Sequence, residues 1–168
     1  AGMRLQKSAT NTLFPTGTST FTGGVNVAAG ILSVTEILNG GVNSSLGAST
    51  NAATNLNLNG GRLRYTGDGN NTNRLFQLAG SSTIDSSGTG ALVFSNTGTN
   101  GTGTGTASAR TLTLAGYNKD DNTIAGVIVN SGGSPSLTSV TKLGSGKWVL
   151  TGANTFTGVA DLVLGGLK

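Results

Sequence analysis

The chain has 168 residues, about the length of one ordinary domain, but only 10% of them are charged, against roughly 25% in typical globular proteins. It contains no cysteine and no histidine, which excludes disulfides, thiol catalysis, sulfur-ligated metals, Ser-His-Asp catalysis, histidine proton shuttles and the common zinc sites. Ten Lys and Arg against six Asp and Glu leave a formal charge of +4, yet the cations are scattered and only Arg62 and Arg64 share a strand face, so no nucleic-acid partner is expected. The hydrophobic fraction of 35% raises disorder as an alternative, but two prolines and a modest net charge do not fit it, and the apolar residues come in pairs two apart. No apolar run approaches the ~18 residues of a transmembrane helix, and the start lacks a signal-peptide pattern. The segment is therefore not expected to insert in a membrane. With Ala1 first and Met3 internal, it reads as a processed or excerpted piece of a longer polypeptide.

In chain order, strand pieces are predicted at Thr12–Phe14, Ser19–Thr22, Val25–Val27 and Ile31–Val34, separated by Gly17, Gly23-Gly24 and Gly30. Residues Asn43–Thr54 are small and polar, and read as an excursion loop or short helical turn with Val42 and Leu46 as anchors. Strands resume at Asn55–Leu58 and Arg62–Tyr65 around the turn Asn59-Gly60-Gly61, and a polar bulge follows at Thr66–Asn73. Further strands are predicted at Arg74–Leu78, Ser82–Asp85, Ala91–Phe94, Arg110–Leu114, Ile124–Val129 and Ser136–Val140. Loops are expected at 97–108, Lys119–Asn122 and Ser131–Pro135. Period two dominates throughout, and no window shows a helical period.

The chain is organised around Lys142 to Gly158: a strand carrying Trp148 and Leu150 on one face, a Gly-Ala-Asn corner, a second short strand and another glycine. Its signature positions are Lys142, Gly144, Gly146, Trp148, Leu150, Gly152, Asn154, Thr155, Phe156, Thr157 and Gly158. The same writing occurs at 7–32 as at 142–167: Lys7, Gly17, Thr20-Phe21-Thr22-Gly23, Gly30 and Leu32 align without a gap at an offset of 135 residues (Lys7 to Lys142). Short strands fit either an antiparallel sandwich or barrel, or a parallel β-solenoid. Gly-Gly and Asn-Gly-Gly corners, recurring Asn and Thr suited to stacked polar ladders, and the constant register of the two copies favour the solenoid. The expected fold is thus all-β, a parallel β-helix with Gly/Asn/Thr-rich corners forming a single segment over 1–168. About 20–25 residues per coil at about 4.8 Å rise would give roughly six to eight coils.

The signature resembles the passenger-associated repeat of bacterial autotransporter and autotransporter-like surface proteins. Asn55–Gly67, Arg74–Phe76, Arg110–Leu114 and Asn122–Ile128 are similar to the segments that accompany that repeat. The resemblance implies a parallel β-helix, export to the surface or medium of a Gram-negative-type bacterium, and an array of related units. The N-terminal copy departs at Thr16–Ser19, where Gly-Ala-Asn is expected, and the C-terminal copy at Val159–Asp161; both departures fall at corners.

Catalysis on a β-helix needs paired carboxylates or a calcium site beside a base. Of Glu36, Asp68, Asp85, Asp120, Asp121 and Asp161, only Asp120-Asp121 are adjacent, and they read as a solvated turn; Gly67–Asn70 reads as a turn rather than a calcium loop. The glycines 98, 101, 103 and 105 do not form a phosphate loop, lacking the following Lys-Ser/Thr and a helix. Trp148, Phe156, Phe21 and Tyr65 are expected to pack inward rather than stack on sugars. The expectation is therefore a non-enzymatic scaffold without cofactor or metal. It would stack end to end with neighbouring repeats or identical chains, as in an extracellular filament, because neither end shows a polar cap. An adhesin for glycans or host surfaces and a β-helix polysaccharide lyase or hydrolase are the alternatives.

Overall fold

A computed structural model describes residues 2–101, 108–131 and 136–168. The glycines at 103 and 105 and most of the predicted loop at 131–135 lie outside the described residues. The chain enters with β1 (Leu5–Lys7) and β2 (Thr12–Leu13), then returns alongside as β3 (Val25–Val27) and β4 (Ile31–Val34). A long excursion with a 3-10 turn at Ala53–Asn55 leads to β5 (Leu56–Leu58), β6 (Arg62–Tyr65) and β7 (Asp68–Thr72). The next turns are β8 (Gln77–Leu78), β9 (Ser82–Ser86) and β10 (Gly90–Phe94), then β11 (Thr99–Asn100), β12 (Arg110–Ala115) and β13 (Asn122–Ile124). They are followed by β14 (Val127–Ile128), β15 (Thr138–Lys142) and β16 (Lys147–Leu150), and finally by β17 (Ala160–Leu162) and β18 (Gly166–Leu167).

These strands stack on three faces, in the orders β1-β3-β5-β8, β2-β4-β6-β9-β12-β15-β17 and β7-β10-β13-β16-β18. The separate pair β11-β14 extends the first face, where the Gly101 amide donates to the Phe76 carbonyl at 3.0 Å. Among the described residues every strand pairing is parallel, and the sole antiparallel contact is a bridge between Ser19 and Ser44. This is a parallel β-helix; a sandwich built of hairpins is excluded. Coil length varies from 19 residues (Thr12 to Ile31) to 31 (Ile31 to Arg62).

Register puts one residue type above its like. On the second face Leu13, Leu32, Leu63, Ile84, Leu114, Lys142 and Leu162 stand in one inward row. Such rows bury apolar surface with short strands, because each coil's side chain rests on the coil beneath it. Phe76 and Phe94 fill the interior edge to face, with centroids 5.8 Å apart. Between the inward rows of the first face, Gln6, Asn26, Asn57 and Gln77 are stacked in register. Asn57 Nδ2 donates to Asn26 Oδ1 at 2.8 Å, and Asn26 Nδ2 to Gln6 Oε1 at 2.7 Å. The amide ladder anticipated from the recurring asparagines is thus present.

Three local expectations are corrected. The polar stretch Thr66–Asn73 is not a bulge; it contains β7, because β10 offers a parallel partner from Asp68 to Thr72 and strand formation follows the partner rather than the propensity of Asp-Gly-Asn-Asn-Thr. Ser19–Thr22 and its counterpart Thr155–Thr157 are extended coil outside any sheet, since both lie on arms that cross between faces. Of the anchors assigned to the excursion, Leu46 is buried but Val42 is exposed.

Arg74 holds the excursion down. It is 2% exposed and has no acidic partner among the described residues; its guanidinium donates to the carbonyls of Leu38 (2.9 Å), Ser49 (3.1 Å) and Gly47 (2.8 Å) and to Ser49 Oγ (3.0 Å). Burial pushes its pKa down without threatening its charge. Asparagines complete the attachment: the Gly40 amide donates to Asn73 Oδ1, and the Asn73 amide to Asn39 Oδ1, so the outer edge of β7 is covered by side-chain amides. Arg74→Met leaves those carbonyls unpaired in a buried site and is expected to cost about 2–4 kcal/mol. Hydrogen exchange should show protection lost over residues 38–50 while β12 keeps its own.

Tyr65 is also fully buried, and its Oη accepts the Gly69 amide at 2.8 Å. Burial raises the phenol above its ordinary pKa, the Gly69 hydrogen bond opposes this, and nearby Asp68 adds to it. The folded state therefore holds the phenolic proton more tightly than the unfolded chain does. The associated stability is fully present below the unfolded value of about 10 and is lost as pH rises through the folded one. Urea midpoints for Tyr65→Phe should fall less steeply than wild type between about pH 9 and about pH 11.

Candidate functional site

The repeat signature forms a clasp that fastens one coil to the next. It begins at Lys142, the last residue of β15, which occupies a position in the aliphatic row beneath Leu162 and is 0% exposed. An ammonium there needs acceptors, and the neighbouring corner supplies them: Nζ donates to the carbonyls of Leu143 (2.7 Å), Gly144 (2.7 Å) and, on the next coil, Leu164 (3.1 Å). Burial pushes the ammonium's pKa down. No carboxylate takes part.

Lys7 repeats this arrangement. Its Nζ donates to the carbonyls of Ala9 and, at 3.2 Å, Ala29, which are the counterparts of Gly144 and Leu164 at the same offset. Each clasp is closed by one glycine with positive φ, Gly30 at +64° and Gly165 at +86°. A Cβ on Gly165 would stand 2.4 Å from the carbonyl oxygens of Gly144 and Gly146 and 2.8 Å from Lys142 Nζ; on Gly30 it would meet Ala9, Asn11 and Lys7 in the same way. The lysine and this glycine are one device, since the ammonium is reachable only where the corner backbone comes this close.

The remaining signature residues continue the fastening along the same turn. The Gly146 amide donates to Gly116 at 3.0 Å and its carbonyl receives the Gly166 amide at 3.1 Å. Trp148 is buried, and its Nε1 donates to the Ala115 carbonyl at 3.0 Å; Leu150 and Phe156 are half-buried against the core. The Gly152 carbonyl receives the Asn154 amide, and Asn154 Oδ1 accepts the Ile128 amide at 2.8 Å from the preceding coil. The Thr155 amide reaches the Ile128 carbonyl, the Thr157 amide reaches Asn130 Oδ1, and the Gly158 amide reaches the Thr138 carbonyl, each at 3.0 Å. Thr155 and Thr157 point to solvent. The signature residues therefore spread around a turn and do not converge on a pocket.

Two of the acidic residues are engaged by basic side chains. Asp85 lies buried between Arg62 and Arg64, with Nε atoms at 2.9 and 3.0 Å, which also accounts for the two cations that share a face. Asp121 is exposed and pairs with Lys147 at 2.6 Å, which holds its carboxyl below the usual range. Among the described residues no group of three potential metal ligands occurs. Of the aromatic side chains weighed for sugar stacking, Trp148 and Tyr65 are buried and Phe21 and Phe156 are packed on the core. The buried roles of Arg74 and of Arg110, whose Nη1 donates to the Leu78 carbonyl at 2.7 Å, had no sequence signal beyond a cation inside an apolar strand.

Lys142→Met removes the donor but keeps the stem, leaving the three carbonyls to find other partners, and is expected to cost about 2–3 kcal/mol. Gly165→Ala should be at least as damaging through its Cβ. In both, amide exchange at Val163 and Gly166 should accelerate more than at β9.

The passenger-associated-transport-repeat family matches residues 8–34 and 140–166, the two places where the clasp occurs. Over 139 residues the chain is 48% identical to the adhesin BmaC autotransporter of Brucella suis biovar 1 (strain 1330), an alignment that takes in 82% of this chain and 4% of that protein. The chain thus spans a small fraction of the length of this relative. No solved structure matches. With the clasp at both matched positions of a parallel β-helix, the chain is a passenger-repeat segment of the autotransporter type.

Proposed function

We propose that this segment is a structural part of a secreted or cell-surface protein of a Gram-negative bacterium, a non-catalytic scaffold whose coils stack end to end with further coils. The observation that carries the reading is the second face, where seven parallel strands follow one another in register and the outermost, β17, presents an unpaired ladder edge flanked by exposed Val159, Leu162, Val163 and Leu164. At the other end β1 and β2 present the opposite edge beside exposed Met3. Edges of this kind bind another strand readily. The added coils belong either to the same polypeptide or, in a filament, to identical chains. An enzymatic role has little support, since Asp85 is neutralised by two arginines and Asp121 by a lysine. The relative is called an adhesin, and a binding role for this segment is compatible with a scaffold that carries a local site.

Sedimentation and electron microscopy of the purified segment over a concentration series test the stacking. Wild type is expected to form rods that lengthen with concentration and carry an axial repeat of about 4.8 Å. Leu162→Lys with Leu164→Lys should hold it as short single particles. Uniform short particles of the wild type at every concentration would remove self-stacking and leave a spacer.

A further inference from the structure

The N-terminal copy of the repeat carries a groove beside the arm at which it departs from the C-terminal copy. The groove has a volume of about 400 Å³ and lies between the arm after β2, the end of β4 and the excursion. That size is in the range of small-molecule sites, roughly 300–1,000 Å³. Its excursion wall is fixed by the Ser19–Ser44 bridge, whose two backbone hydrogen bonds are 3.0 and 3.3 Å, and by the guanidinium of Arg74 beneath. The arm departs from its counterpart at the lip: Phe14 and Pro15 stand where the other copy has Val149 and Leu150. Val149 is half-buried, whereas Phe14 turns its ring outward and is 63% exposed.

The polar lining is equally distinctive. Among the described residues eight serines are buried: Ser33, Ser44, Ser45, Ser49, Ser82, Ser86, Ser131 and Ser136. Six of them have hydrogen-bond partners for their hydroxyls. The two without a partner among the described residues, Ser33 and Ser45, both line this groove. Neither hydroxyl is among the buried side-chain atoms left without a partner, so both open onto the groove, where a ligand's polar groups can take the place of water. Thr16 and Thr18 add hydroxyls from the arm, and Glu36 adds a carboxylate with no ion-pair partner among the described residues.

We infer that this groove binds a neutral sugar unit of a glycan. Hydroxyls that both donate and accept, one carboxylate that accepts from two O–H groups, and one exposed aromatic ring to cover an apolar C–H face together match a pyranose. An acidic ligand would meet Glu36 without a compensating cation in the lining, and a purely apolar one would leave Ser33 and Ser45 unpaired. The inference stands apart from the scaffold reading, because it needs only the first turns and no assembly.

The test uses the whole segment on surfaces presenting lactose or cellobiose, with sialyllactose and poly-lysine surfaces as charged comparisons and soluble sugar as competitor. Wild type is expected to bind at least one neutral disaccharide, more tightly than either charged surface. Phe14→Ala should weaken this at least tenfold, Glu36→Gln several-fold, and Val149→Ala, at the matching position of the other copy, not at all. Circular dichroism melts of the Phe14 variant should be unchanged, since the ring lies outside the core. Absence of binding to both neutral sugars, full binding by Phe14→Ala, or stronger capture by either charged surface would overturn the inference.

Discussion

In a parallel β-helix the strands satisfy one another along the axis, but every corner turns peptide carbonyls out of the ladder and toward the interior. A lean core made of short aliphatic rows has little else to offer those groups. Here they are met by cations without anions. Lys7, Lys142, Arg74 and Arg110 are buried, and each donates to main-chain carbonyls with no carboxylate among its partners. A cation is suited to this work because several carbonyl dipoles can converge on it, and its long stem packs in the aliphatic row while the head reaches the corner. Asparagine serves the opposite groups. Asn70, Asn73, Asn100, Asn130 and Asn154 each accept a main-chain N–H that no strand takes up.

Much of the fold could be read from residues because it is periodic. The alternation in Arg110–Leu114 and Ile31–Val34 marks strands that need only an inside and an outside, and the constant offset between the copies marks a unit that folds the same way twice. What could not be read depends on partners. The strand at Asp68–Thr72 has the composition of a loop and is a strand because β10 lies beside it. The arms at Ser19–Thr22 and Thr155–Thr157 have the composition of strands and lie between faces. The long excursion is ordered by Arg74, a residue 25 positions from its Ser49 partner, and no local pattern announces such a contact.

The lysine of the signature and Gly165 were legible as matching positions in two copies within one chain, but not as a pair. Only the structure places Lys142 Nζ against the corner that Gly165 closes. The same holds for the lip of the groove. Phe14 was counted with a short strand at Thr12–Phe14, and its exposure follows from Pro15 and the crossing arm rather than from its own hydrophobicity.

The two copies do not sit one above the other. The first begins on the face of β1 and passes to that of β2; the second begins on the face of β2, with β15, and passes to that of β16. Between one clasp and the next the unit has therefore been turned by a third of the circumference. The excursion and aromatic lip of the first copy therefore stand on a different side of the shaft from the matching points of the second. A shaft that kept this phase from unit to unit would turn its corners as a spiral stair turns its treads.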